Sequence, residues 1–126
     1  MSTVSVRYIV EDLDAAIGFY RDDLGFEVVM HPAPTFAMLS RGDLRLLLSV
    51  ASGQGGGGQT LPDGRRPEPG GWNRFQLEVE DLRAEVDRLR GAGARLRSEI
   101  VEGTGGDQII VEDPSGNPIE LFQSKR

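Results

Sequence analysis

Few residues of this 126-residue chain could do chemistry, and Glu120 is the first of them. It stands among apolar neighbours in DPSGNPIELF (113–122), where a lone carboxylate can be a metal ligand, a general base, or a remnant of chemistry no longer performed. Cysteine is absent, which excludes disulfides, thiolate metal sites and a cysteine nucleophile. The one histidine, His31, lies in the loop-like MHPAPT (30–35). GQGGGG (53–58) lacks the Lys-Ser/Thr of a phosphate loop and does not sit between a strand and a helix, so a flexible flap is the better reading. Arg65 and Arg66, in the same region, read as solvated cations.

The elements that must position Glu120 come as one unit written twice. VRYIVEDLDAAIGFYRDDLGFEV (6–28) and RFQLEVEDLRAEVDRLRGAGARL (74–96) share Val-Glu-Asp-Leu at an offset of 69. Each copy opens with a period of two, the mark of a half-buried strand: Val6, Tyr8 and Val10 oppose Ser5, Arg7 and Ile9, and Phe75, Leu77 and Val79 oppose Arg74, Gln76 and Glu78. Asp12 and Asp81 then stand as helix N-caps. Leu13, Ala16, Ile17, Tyr20 and Leu24 make the first helical stripe, ended by Gly25. Leu82, Val86 and Leu89 make the second, ended near Gly91 or Gly93. Three β-type runs follow each helix: 26–30, 36–40 and 44–50, then 95–101, 107–112 and 119–123. Each half is therefore βαβββ, with module one at 1–51, a Gly/Pro-rich linker at 52–71 and module two at 72–126.

Length and charge narrow the function classes. The chain suits a single domain, and its formal net charge of −6 argues against a nucleic-acid partner, which requires clustered cations. No apolar run is long enough to span a bilayer and the N-terminus lacks signal-peptide character, so no membrane partner is expected and the cytoplasm is the default location.

The doubled βαβββ unit, the Val-Glu-Asp-Leu openings, FYRDDLGF (19–26) and DPSGNPIEL (113–121) together resemble the vicinal oxygen chelate superfamily, which holds glyoxalase I, extradiol dioxygenases and bleomycin-resistance proteins. The resemblance implies an α+β fold in which two βαβββ modules form a curved, cleft-lining mixed sheet, in a homodimer with clefts at the interface. In metal-using members, it further implies, each unit contributes one ligand from its first strand and one from its last. Those positions hold Ser5 and Leu47 in the first unit and Arg74 and Glu120 in the second. Only Glu120 suits a divalent ion, and an arginine in the ring repels one, so neither a metal nor any other cofactor is expected.

In this topology the first and last strands of each unit are neighbours, which places Arg74 beside Glu120. The expectation is that Arg74 takes the electrostatic role of the ion and pairs with Glu120, with a two-point guanidinium–carboxylate contact open to it. A carboxylate so paired is a poor general base. Ser5, Arg7, Leu47, Arg74, Gln76, Glu78, Glu120 and Phe122 are expected on the concave side. Phe36 and Met38 alternate with Ala37 and Leu39, one pair being core and the other cleft, and Trp72 either stacks on a planar ligand or fills a seam. The function expected is a metal-free binding protein that sequesters an aromatic or planar natural product. The alternative is an enzyme, with displaced metal ligands or with Glu120 as base.

Overall fold

The structure, a computed structural model, describes residues 3–51 and 56–125. The chain divides into two compact units, Met1–Gly70 and Gly71–Arg126. The first holds β1 (Ser5–Val10), α1 (Leu13–Gly18), β2 (Glu27–Ala33), β3 (Phe36–Arg41) and β4 (Leu44–Val50). The second holds β5 (Gln76–Glu78), α2 (Leu82–Gly91), β6 (Arg95–Leu96), β7 (Val101–Glu102), β8 (Gly106–Glu112) and β9 (Pro118–Ser124). The architecture is α+β with two mixed sheets, ordered β1-β4-β3-β2 and β5-β9-β8-β6, with β7 also on β8. In both, the first strand runs parallel to the last and the remaining pairs are antiparallel.

Local chemistry starts and stops the helices where the sequence places the signals. Asp12 accepts from Ala15 N at 3.0 Å and Asp81 from Ala84 N at 3.1 Å, each satisfying an orphan donor of a first turn. Gly25, at φ 72°, turns the chain so that Phe26 N reaches Tyr20 O at 2.9 Å. The first helix does not stay α throughout as its single stripe suggested: Phe19–Asp23 widens into a π-turn. That lets the consecutive Phe19 and Tyr20 both enter the core, where Tyr20 meets Phe19 and Phe26 edge-on at 5.2 and 5.4 Å.

Each helix covers one face of its sheet. Tyr8, Val10, Ala37, Leu39, Leu46 and Leu48 are buried on that side in the first unit. Leu77, Ile109, Val111, Ile119 and Leu121 are their counterparts in the second. The choice between the alternating pairs on β3 is thereby made: Ala37 and Leu39 are core, and Phe36 and Met38 lie on the other face.

Three elements differ from expectation. The strand expected over 95–101 is two short pieces, β6 and β7, separated by a bend. His31 lies within β2, where the register with β3 shifts between Met30 and Ala33 around Pro32, which cannot donate to the ladder. Of the expected flap, residues 52–55 lie outside the described residues, but Gly56–Gly58 forms a 3-10 turn seated on β1 and β4. Beyond it Leu61 N and Arg65 O close a turn at 2.8 Å. No helix among the described residues is long and apolar enough to cross a membrane.

The DPSGN turn before β9 is held by its own side chains. Asp113, fully buried, accepts from Ser115 N at 2.8 Å and Asn117 N at 2.9 Å through one oxygen, and from Asn117 Nδ2 at 2.9 Å through the other. Its role is to aim β9, and with it Glu120. Asp113→Ala strands buried donors, so chemical denaturation should show a loss of about 2 kcal/mol or more, against about 1 kcal/mol for the exposed cap in Asp12→Ala.

Candidate functional site

The face of the second sheet away from α2 collects the polar residues of β5, β8 and β9. Register sets Gln76 opposite Glu120, Glu78 opposite Phe122, and Gln108 opposite Phe122 on the other side. Arg74 lies two residues before Gln76 on the same face, and its guanidinium does pair with Glu120. Nε and Nη2 approach Oε1 at 3.0 and 2.8 Å. The contact is two nitrogens on one oxygen rather than a fork on both, because Gln76 Nε2 takes Oε2 at 2.7 Å. Arg74 is further tied to Trp72 O at 3.1 Å and to Gln108 Oε1 at 3.3 Å. With side chains 26% and 13% exposed, the pair is sheltered enough for its geometry to be retained.

A second ion pair, unforeseen in the sequence, stands beside it. Arg97 Nε donates to Glu112 Oε2 at 2.8 Å, and its Nη atoms reach Gly71 O at 2.8 Å and Gly116 O at 3.2 Å. So anchored, the guanidinium carbon lies 4.6 Å from the centroid of the Trp72 ring. Trp72 remains 69% exposed, an indole with one face braced by a fixed cation and most of its surface open. Arg97 falls in the bend that interrupts the expected strand, so no periodicity pointed to it. Its spacing from Glu112 gave no signal either.

In the first unit the corresponding face carries Ser5 and Arg7 of β1, Phe36 and Met38 of β3, and Leu47 of β4. Arg7 is paired in register with Leu47, and Leu47 with Met38. Ser5 Oγ accepts from Arg45 Nε at 3.2 Å. The two ladders also align the units: Arg7 and Gln76 hold equivalent places, and their partners are Leu47 and Glu120. Leu47 is therefore the structural counterpart of Glu120. Two open depressions, of about 690 and 610 Å³, lie near the helix starts, and no residue expected to bind ligand lines either.

The sequence model of the Glyoxalase/Bleomycin resistance protein/Dioxygenase superfamily matches residues 3–121. The chain belongs to this superfamily. Solved structures agree on the fold. A superfamily member from Sphaerobacter thermophilus shares 24% identity at a TM-score of 0.77, over 98% of both chains. Lactoylglutathione lyase from Agrobacterium tumefaciens shares 23% at 0.74, over 97% of this chain and 92% of that one. TnmS3, an antibiotic binding protein from Streptomyces sp. CB03234, shares 23% at 0.73, over 99% and 97%. Comparison with curated proteins finds no match.

The residues at the superfamily's ligand positions do not fit a divalent ion. Both oxygens of Glu120 are engaged by Arg74 and Gln76, and a cation bound there would stand against the guanidinium at a cost of several kcal/mol. Leu47 has no donor atom. Among the described residues no group of three or more His, Asp or Glu side chains is placed to hold a metal.

The Arg74 and Glu120 pairing is testable by a double-mutant cycle. Glu120→Gln and Arg74→Met should each destabilise the fold, and the double variant should lose less than the sum, giving a coupling of about 1–2 kcal/mol by chemical denaturation. Additive losses would mean that the pair contributes nothing as a pair.

Proposed function

We propose that this superfamily member binds an aromatic or otherwise planar natural product without a metal and sequesters it, working as a homodimer with clefts at the interface. The observation that carries the reading is the replacement of the ligand ring by an internally satisfied network. Arg74, Glu120, Gln76 and Gln108 hold one another, which leaves a preorganised hydrogen-bonding floor rather than a cluster of free carboxylates or imidazoles. Trp72, steadied by Arg97, supplies an exposed ring on which a planar ligand stacks. Glu78 and Phe122, on the same face, give a charged and an aromatic contact. The likeness to the antibiotic binding protein TnmS3 supports the same reading at the level of fold.

The enzyme reading differs in what it demands of Glu120. As a base it needs a lone pair aimed at a substrate proton, whereas two nitrogens of Arg74 crowd one oxygen and Gln76 donates to the other, which leaves little of its acceptor capacity open.

Trp72 is the only tryptophan, so intrinsic fluorescence reports on the proposed stacking ring directly. Metal-stripped protein titrated with planar polycyclic antibiotics should show quenching together with a raised melting temperature, and divalent ions should raise it little. Trp72→Ala should weaken that binding by about 1–3 kcal/mol while leaving the melting temperature of the free protein nearly unchanged. A large stabilisation by a divalent ion, with none from any planar compound, would overturn the reading in favour of an enzyme.

A further inference from the structure

The helix-free face of the first unit has an electrostatic character opposite to that of the second. At the face positions of β1, β3 and β4 there are two arginines, Arg7 and Arg45, and no carboxylate; Glu27, opposite Ser40, stands on the edge strand. Every other face residue near Arg7 is apolar or neutral: Leu47 is paired in register with it, and Met38, Phe36 and Ile9 surround that position. Among the described residues Arg7 makes no ion pair, whereas Arg74, Arg95 and Arg97 on the face of the second unit each stand against a carboxylate.

Two further observations make this more than a stray surface cation. Ser49, opposite Ile9 and Phe36, is only 2% exposed, and its hydroxyl has no hydrogen-bond partner among the described residues. A buried hydroxyl without a partner is costly, and water or a ligand group can relieve it. The second is the backbone of Gly57, which lies so close over Arg7 that a Cβ at that position would overlap the guanidinium and Cδ. Neighbouring Gly58 is equally close to the carbonyl of Val50. The glycine turn therefore packs against one side of the exposed Arg7 side chain and restricts it there, which lowers the entropy lost when it engages a ligand.

We propose that this face binds a small molecule by its acceptor-bearing, acidic end, a carboxylate or an ionised enol carried on a planar body, which bonds to Arg7 and to Ser49 Oγ. The inference rests on the small-molecule reading given above and adds the polarity of the ligand to it. Nothing in the net charge of −6 predicts an acidic ligand, so the assignment depends on the local arrangement.

The test is isothermal titration with a matched pair of probes, anthraquinone-2-carboxylate and its methyl ester, at neutral pH. The protein should bind the carboxylate about tenfold more tightly, the scale expected of one charge-assisted hydrogen bond. Arg7→Gln should abolish the preference, weakening the carboxylate more than the ester. Gly57→Ala should reduce the preference by pushing the guanidinium aside without lowering the melting temperature, since only a flexible side chain must move. Ser49→Ala should raise the melting temperature of the free protein, by removing the unpartnered hydroxyl, and yet weaken binding of the carboxylate. Equal binding of the two probes, or a preference kept in Arg7→Gln, or unchanged affinity in Ser49→Ala, would overturn the inference and leave the small-molecule reading standing. Binding of neither probe would remove both.

Discussion

Each unit of this protein depends on the parallel ladder between its first and last strands. A parallel pair cannot be closed by a tight turn, so the chain must cross over, and here it does so through a helix followed by an antiparallel meander. The helix then lies on one face of the sheet and must be covered by apolar side chains. With side chains alternating along every strand, all polar and aromatic residues of the other parity are delivered to the opposite face. Burial of Leu46 and Leu48, or of Ile119 and Leu121, thus decides where Leu47 and Glu120 point. A shift of one residue in the β5–β9 ladder would bury Glu120 under α2.

Within that constraint the two units have diverged. At equivalent register one presents a leucine and the other a glutamate, and the first-strand positions carry serine and arginine. The arginine changes the chemistry most. A divalent ion would hold several donors together by its charge, and Arg74 does comparable work with fixed geometry, gathering Glu120, Gln108 and the Trp72 carbonyl around one guanidinium. The arrangement supplies preorganised donors at that position. Arg97 repeats the device with Glu112 and two backbone carbonyls, and so fixes the ring of Trp72.

The duplication, both N-caps, the glycine at the end of the first helix and the strand parity were legible in the sequence because they depend on neighbours a few residues apart. The Val-Glu-Asp-Leu repeats place Asp12 and Asp81 within reach of amides three residues on, whatever the rest of the chain does. The pairing of Arg74 with Glu120 was also accessible, since it follows from topology once the repeat is seen. Arg97 was not, because its partners Gly71, Glu112 and Gly116 are brought to it from separate parts of the chain. His31 read as loop because Pro32 suggested a break, yet pairing with β3 tolerates the proline at a register shift.

By itself the sequence determined the two βαβββ units, both helix starts and, for β1, β5 and β9, the side of the strand that faces the core, all consequences of short-range hydrogen bonding and of the periods 2 and 3.6. Only the tertiary structure decided that Phe36 and Met38, not Ala37 and Leu39, leave the core, that Glu120 has both oxygens occupied, and that Gly57 rests on Arg7. Those outcomes turn on distances between segments remote in sequence. Such distances are set by the packing of the helix against its sheet, which no local pattern encodes.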